Sequence, residues 1–240
     1  MTEGRATNEP ERTAALPGSS DGDDVATVLF LDLVRYTSLT EVHGDLVAAD
    51  AASAMERLAR DSMRAGTRVV KSVGDGVLIC AQSPALGLLC GSSIVEGLHE
   101  LGTGLDARGG LDHGPVVVRD GDVFGSTVNV AARLAELPDA GRLAMKRQVA
   151  EAAGDVDLAV RPRGLQRLKG FRAPLEVFET DPCVHEGEWN TDPVCGMRLL
   201  AADAVAPIST PAGTVGFCSQ RCADLFDLDR HEDNSFTDET

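Results

Sequence analysis

Residues 25–34 form a nearly uninterrupted apolar run, VATVLFLDLV, which contains a single charged residue, Asp32. A run of this length and composition is typical of a strand that is buried on both faces of a sheet. Burying a carboxylate there is costly unless the carboxylate is paired or binds a metal ion. The run therefore predicts a central strand with a paired or metal-binding acid near its C-terminal end. Taken alone, Asp32 is equally consistent with an acid that simply ends a strand.

The segments that follow alternate between helical and strand patterns. Apolar residues at helical spacing predict helices over 45–64 and 125–137, and a third helix begins at Pro84 with Ser83 as its N-cap. Strand patterns occupy four segments: a hairpin over 68–81, a strand pair over 105–118 that turns at His113 and Gly114, and strands near 159–168 and 175–179. This order predicts an α/β (α+β) fold with a ferredoxin-like βαββαβ core.

Composition divides the chain into five parts and limits its partners. Residues 1–23 predict a flexible tail, 24–181 the main domain, 182–190 a linker, 191–233 a small module with cysteines, and 234–240 an acidic tail. The net charge of −16 disfavours contact with nucleic acid or with an anionic membrane surface. Neither a secretory signal nor an apolar stretch of about 20 residues is visible, which predicts a cytoplasmic protein. In that compartment the six cysteines are expected to be thiols or metal ligands rather than disulfides.

Asp75 supplies a second acid at a place where a ligand can come close to the backbone. It lies between Gly74 and Gly76 at the tip of the predicted hairpin. Two carboxylates at adjacent strand ends are the ligands that two magnesium ions on a triphosphate require. The alternative is that Asp75 only serves the turn.

Three motifs in register connect these acids with a known family. They read FLDLVRYTSLTEVHGD at 30–45, KSVGDGVLI at 71–79 and GDVFGSTVNVAARL at 121–134, and LKGFRAPLEVFE follows at 168–179. Over about residues 25–179 the chain closely resembles the class III adenylyl and guanylyl cyclases. It departs from many relatives at Arg35 and Tyr36, where they have Gly-Phe, and at Asp112, within a motif in which they often carry Ile-His.

The resemblance implies a role for each matching residue. Asp32 and Asp75, with the backbone carbonyl of Leu33, are expected to hold two Mg²⁺ or Mn²⁺ ions. Asn129 is expected to orient the ribose, and Arg133 to stabilise the charge that grows on the α-phosphoryl group. Asn129 and Arg133 are four residues apart, so they face the same way on a helix.

Lys71 and Asp122 are the expected readers of the base. Lysine offers a donor and aspartate an acceptor, which complement N1 and N6 of adenine and favour ATP over GTP. In the family the metal-binding aspartates come from one domain and the remaining groups from another. Since this chain carries both sets, the resemblance implies a head-to-tail homodimer in which Lys71 and Asp75 serve opposite sites.

The segments DPVCGM at 192–197 and GFCSQRCADLF at 216–226 resemble a YHS domain, a module that accompanies heavy-metal transporters. We expect a small β-hairpin and helix module in which the thiolates of Cys195, Cys218 and Cys222 bind Zn²⁺ or Cu⁺. The fourth ligand stays open between His231, His185, Cys183, water and a partner. The alternative is three reduced thiols packed against Phe217 and Phe226. The remaining cysteines, Cys80 and Cys90, are expected to be buried packing residues.

Together these patterns predict an adenylate cyclase that converts ATP to 3′,5′-cyclic AMP and pyrophosphate, with an appended metal-binding module. For that module a structural zinc site is favoured over a sensing role, and regulation of the cyclase by metal occupancy is a hypothesis. Two alternatives remain. One is a metal-responsive binding protein whose cyclase-like domain has little or no turnover, and the other is a guanylate cyclase.

Overall fold

The computed structural model describes residues 21–182, 189–210 and 213–235. Most of the predicted tail and linker, and residues 236–240, lie outside this part of the chain. Within it, no helix combines the length and the apolar character that crossing a membrane would require.

Eight strands form one sheet in the order β2-β3-β1-β4-β6-β8-β7, with β5 paired to β4. Their bounds are β1 Gly22–Leu33, β2 Thr67–Val73, β3 Gly76–Ala81, β4 Ala107–Arg119, β5 Asp122–Phe124, β6 Leu143–Lys146, β7 Val160–Gln166 and β8 Leu175–Thr180. The pairing of β4 with β6 is parallel, and the other pairings are antiparallel. The predicted central strand is confirmed, because β1 lies between β3 and β4.

Helices cover both faces of this sheet, which confirms the predicted α/β fold class. Their bounds are α1 Tyr36–His43, α2 Asp45–Asp61, α3 Pro84–Glu100, α4 Ser126–Ala135 and α5 Arg147–Glu151. Leu29 and Leu31 of β1 pack with α1, α2 and α3 on one face, and Val28 packs with α4 on the other. The predicted start of α3 is confirmed, since the Ser83 hydroxyl accepts a hydrogen bond from the Leu86 N–H at 3.3 Å.

Three local predictions were wrong or incomplete. β4 is a single strand of 13 residues, and no turn interrupts it at His113 and Gly114, which pair with residues of β1. The glycine that suggested a turn instead lies under α4, where an added Cβ would come within 3.0 Å of the Thr127 hydroxyl. α2 ends at Asp61 rather than at residue 64, and α1, β6 and α5 were not predicted.

Glu179 of β8 is a buried acid that ties together three arginines of neighbouring segments. Its carboxylate is 2% exposed and accepts hydrogen bonds from Arg142 at 3.4 Å, from Arg161 at 2.5 Å and from Arg163. Burial raises the pKa of Glu179, but the hydrogen bonds from Arg161 and Arg163 outweigh burial and hold the pKa below its ordinary value. These contacts join β8 to the edge strand β7 and to the segment before β6.

The C-terminal residues form two short hairpins and a helix. Their bounds are β9 Trp189–Thr191, β10 Arg198–Leu200, β11 Val205–Thr210, β12 Gly213–Phe217 and α6 Gln220–Ser235. We call residues 189–235 the C-terminal module. Its small core contains Cys195, Phe217 and Cys222, together with Val42 of α1. The C-terminal module therefore packs directly on the first helix of the main domain.

Candidate functional site

Asp32 and Asp75, the acid pair, meet at adjacent strand ends. The register of β1 and β3 sets Asp32 opposite Gly76, the residue after Asp75. Burial, then the charge of Asp75 and a hydrogen bond shared with its carboxyl group, raise the pKa of Asp32 to about 6. The Asp32 side chain keeps 32% of its surface exposed, so a ligand can reach it. The structure thus brings together the two acids that the sequence singled out.

The donor set at this point fits a divalent cation. Two oxygen-bearing side chains lie side by side, and burial, followed by the charge of Asp75, raises the pKa of Asp32, so a cation bound between them would stabilise both carboxylates. Leu33 ends β1 directly after Asp32 and is 3% exposed, so its backbone belongs to the same strand end. Oxygen ligands of this kind are the ones that Mg²⁺ and Mn²⁺ prefer.

Arg108 is a neighbour of the acid pair that sequence reasoning missed. It lies opposite Asp32 in the register of β1 and β4, and its Nη2 is 3.9 Å from Asp32 Oδ2. Its Nη1 donates to the Glu136 carbonyl at 3.3 Å, while its Nε is buried with no partner among the described residues. The signal was present in the sequence as an arginine in the strand next to β1, but only the register shows which residue faces Asp32.

The structure also brings together Lys71 and Asp122, although 51 residues separate them. Lys71 Nζ donates to Asp122 Oδ2 at 2.5 Å, from β2 to the start of β5. The hydrogen bond from Lys71 is the main reason that the pKa of Asp122 lies below its ordinary value. Both side chains remain accessible, with 42% and 30% of their surfaces exposed.

Asn129 and Arg133 lie one turn apart on α4. Asn129 is exposed, and Arg133 is half-buried and forms an ion pair with Glu136. In the described part of the chain, no hydrogen bond or ion pair joins the acid pair to Lys71, Asp122, Asn129 or Arg133. A single chain therefore presents the predicted site residues as separate clusters.

Asp112, one of the departures from the family pattern, lies in the interior of the sheet. It is 3% exposed and forms an ion pair with Lys146 of β6 at 2.9 Å. Burial raises the pKa of Asp112, while Lys146 opposes that shift. The acid therefore joins β4 to β6 and does not reach the acid pair.

A second cluster consists of three sulfurs and one imidazole nitrogen. The Sγ atoms of Cys195, Cys218 and Cys222 and a ring nitrogen of His43 all lie within 4.8 Å of one another. His43 is the last residue of α1 and is 175 residues from Cys218. Sequence reasoning missed it for that reason. Of the fourth ligands considered above, His185 and Cys183 lie outside the described residues, and so does the side chain of His231.

Asp192 fixes the loops that carry two of these cysteines. It is fully buried, and its Oδ1 accepts from the N–H groups of Val194 at 2.8 Å and Cys195 at 3.2 Å, while Oδ2 accepts from the Cys218 N–H at 2.8 Å. Burial raises the pKa of Asp192, but these backbone hydrogen bonds outweigh it and hold the pKa below its ordinary value. Burial also raises the pKa of the Cys222 thiol to about 12.

Two further cysteines lie in the main core. Cys80 and Cys90 are fully buried, which confirms them as packing residues. Burial raises the pKa of Cys80 to about 11, which favours the neutral thiol.

Comparison with known proteins agrees with the fold and the motifs. The family described as the adenylate and guanylate cyclase catalytic domain matches residues 19–180. A pH-sensitive adenylate cyclase of Mycobacterium tuberculosis is 34% identical over 74% of this chain and 45% of its own length. An adenylate cyclase of Glutamicibacter nicotianae is 30% identical over 59% of this chain and 36% of its own. The chain thus spans less than half the length of these relatives.

Solved structures match the main domain in fold. A protein described as an adenylate/guanylate cyclase/hydrolase from Silicibacter pomeroyi superposes with a TM-score of 0.59 at 24% identity, over 68% of this chain and all of its own. An adenylyl cyclase of P. aeruginosa superposes with a TM-score of 0.58 at 21% identity, over 70% of this chain and 97% of its own.

Proposed function

Because this chain belongs to the family of adenylate and guanylate cyclase catalytic domains, we propose that it is an adenylate cyclase, which converts ATP to 3′,5′-cyclic AMP and pyrophosphate. The observation that carries this proposal is the meeting of Asp32 and Asp75 at adjacent strand ends. Relatives that are named adenylate cyclases support the choice of reaction.

The acid pair and the Leu33 carbonyl would hold two Mg²⁺ or Mn²⁺ ions, which lower the pKa of the ribose 3′-hydroxyl and neutralise the triphosphate. Asp32 binds the ions in its ionised form, although burial raises its pKa to about 6. Asn129 hydrogen-bonds to the ribose and orients it for in-line attack. Arg133 leaves Glu136 and donates to the α-phosphoryl oxygens, where negative charge grows in the transition state.

Adenine is read by the two groups that pair with each other in the free protein. When ATP binds, Lys71 donates to N1 and Asp122 accepts from the N6 amino group. The ammonium has three donors and the carboxylate two acceptor oxygens, so these contacts are compatible with their mutual ion pair. We expect Lys71→Glu to abolish the preference for ATP over GTP while the enzyme stays folded. Turnover of both nucleotides, measured by chromatography of the products, tests this expectation. An unchanged preference would mean that the base is read elsewhere, and GTP preference in the wild type would support the guanylate cyclase alternative.

The separate clusters of one chain support a head-to-tail homodimer with two equivalent sites. In such a dimer the acid pair of one subunit faces Lys71, Asp122, Asn129 and Arg133 of the other. Exposed apolar side chains near the Lys71–Asp122 pair, among them Val73 at 55% and Phe124 at 51%, are suited to such an interface.

Complementation of two inactive variants tests the shared site and the reaction together. Asp32→Ala and Arg133→Ala are each expected to lose cyclic AMP formation. When the two are co-expressed, half of the dimers are mixed and each holds one intact site, so about a quarter of the wild-type activity returns. Asp32→Ala with Asp75→Ala is the matched control and stays inactive, since both changes fall in the same half-site. Recovery in the control, or none in the test pair, contradicts the assignment.

We propose that residues 191–233 form a YHS-type domain that holds Zn²⁺ or Cu⁺ through Cys195, Cys218 and Cys222. The thiols suit the cytoplasm, where cysteines stay reduced. This cluster also favours the second candidate, a metal-responsive binding protein with little or no turnover. That candidate predicts that the protein binds nucleotide but forms no cyclic AMP, so Asp32→Ala would not change the amount of product formed.

A further inference from the structure

His43 and the three cysteines come from two parts of the chain that fold against each other. We propose that His43, Cys195, Cys218 and Cys222 bind one Zn²⁺ ion together, and that this ion clamps the C-terminal module to α1, the helix that follows the catalytic strand. The metal site itself does not depend on the proposed catalysis. Its effect on turnover does.

Four of the six ligand–ligand distances in the cluster match the edges of a coordination tetrahedron, and the other two are within 4.8 Å. Cys218 Sγ is 3.4 Å from Cys195 Sγ, 3.6 Å from Cys222 Sγ and 3.5 Å from His43 Nε2, and Cys222 Sγ is 3.8 Å from His43 Nε2. With Zn–S bonds of about 2.3 Å and a Zn–N bond of about 2.0 Å, a tetrahedral site has edges of about 3.5–3.8 Å. Apolar packing of three thiols would not require an imidazole nitrogen at the same distance.

The ligand types select the metal. Three thiolates and one imidazole form a closed set that is typical of structural zinc, whereas Mg²⁺ and Ca²⁺ prefer oxygen. Cu⁺ also accepts thiolates, but the imidazole that completes four ligands favours Zn²⁺. Asp192 holds the backbone of Cys195 and Cys218 in place through its three hydrogen bonds, so much of the site is organised before the metal binds.

The C-terminal module contacts both ends of α1. His43 is the last residue of α1, and Arg35 immediately precedes the first. Arg35 Nη1 donates to the Pro193 carbonyl at 2.6 Å, and the side chain of Arg35 packs so closely on Gly196 that an added Cβ there would lie 2.3 Å away. The C-terminal module is therefore anchored to α1 by the proposed metal ligand at one end and by a hydrogen bond at the other.

Short connections lead from this clamp to the acid pair. Arg35 follows Asp32 by three residues, and the intervening Val34 N–H donates to the Asp106 carbonyl at 2.9 Å. The Asp106 carboxylate in turn accepts from Arg198 of the C-terminal module at 3.3 Å. A change in the position of the C-terminal module is therefore expected to move the backbone of β1 that carries Asp32.

Zinc content and coordination are the direct test. We expect the purified full chain to hold one Zn²⁺ by mass spectrometry of metals, Cys218→Ser to hold none, and His43→Gln to bind zinc at least about 100-fold more weakly in competition with a chromogenic chelator. X-ray absorption at the zinc edge should show three sulfur neighbours and one nitrogen, with the nitrogen altered in His43→Gln. Cys90→Ser and His113→Gln are matched controls and should bind zinc as the wild type does, since neither residue belongs to the cluster and His113 contacts Thr27 of the main sheet. Wild-type affinity in His43→Gln, or preferred binding of Cu⁺ without His43, overturns the proposal.

Hydrogen exchange tests the clamp without reference to activity. We expect zinc to slow exchange of the α1 amides in the wild type and to have no such effect in His43→Gln. If zinc binds through His43 but α1 exchanges equally with and without it, the clamp is refuted. Cyclic AMP formation should fall at least about tenfold in the zinc-free chain, because misplacing a catalytic group costs activity. Absence of turnover with intact zinc and exchange results would instead count against the proposed function.

Discussion

Replacing Gly110 with alanine should displace the helix that carries Asn129 and Arg133. Gly110 lies on β4 beneath α4, and an added Cβ would be 2.1 Å from the Ala131 carbonyl oxygen and 2.3 Å from the Ala135 nitrogen. These are backbone atoms of a regular helix, which cannot rotate away as a side chain can. Since ordinary contact begins near 3.4 Å, α4 has to retreat by about 1.3 Å.

The retreat has two measurable consequences. Overpacking of this kind costs about 1–3 kcal/mol of unfolding free energy, and we expect the upper end because backbone must move. A shift of about 1 Å in catalytic groups costs about 100-fold in kcat/KM for ATP. Urea unfolding and steady-state cyclic AMP formation measure the two effects.

Gly114→Ala provides a matched control on the same strand and under the same helix. There an added Cβ meets only the Thr127 side chain, at 3.0 Å for its hydroxyl and 4.0 Å for its methyl group, so a small adjustment is enough. We expect a loss below about 1 kcal/mol and near-normal turnover. If Gly110→Ala matched this control in both stability and kcat/KM, the argument that a close approach of backbones sets the position of α4 would be refuted.

Two further substitutions test the buried acids. Glu179→Gln should lower the unfolding free energy at pH 7 by about 3 kcal/mol, since it removes the charge that pairs with three arginines. The pKa of Glu179 is depressed in the folded protein, so its contribution to stability is present above the ordinary glutamate pKa and is lost as pH falls through the folded value. The stability of the variant should therefore depend less on pH below about 4.5 than that of the wild type. The exposed Glu176→Gln should cost under about 1 kcal/mol in the same urea titrations, and equal losses would contradict the reasoning. Asp192→Asn should weaken zinc binding about 10–100-fold in chelator competition, because an amide nitrogen cannot accept from the Cys218 N–H. Unchanged affinity would show that Asp192 does not organise the cluster.

Local patterns were enough to predict much of the fold. The apolar run with a single acid indicated β1, and the glycines around Asp75 indicated the hairpin, because both signals depend on neighbouring residues alone. Ser83 followed by Pro84 likewise marked the start of α3. The same local reasoning failed at Gly114, since a glycine can serve a turn or a close approach and only the tertiary structure distinguishes the two.

The position of His43 could not be predicted for a different reason. The cysteines follow one another within the C-terminal module, so their spacing suggested a common site. The histidine lies 175 residues from Cys218, on a helix that itself was not predicted, and it meets the sulfurs only when the C-terminal module packs on α1. No periodicity in the sequence reports such docking.

Arg35 shows how a local conflict can mark an interface. Its φ of 56° lies in the left-handed region, where glycine costs least, and the family resemblance leads us to expect glycine at this position. A long charged side chain at such a position raises the energy of the loop unless other contacts compensate. Here the guanidinium of Arg35 donates to the Pro193 carbonyl, so a contact with the C-terminal module helps to offset the strain next to the acid pair. The departure from the family pattern and the cysteine cluster are therefore two parts of one contact, and that contact adjoins the strand end that carries Asp32.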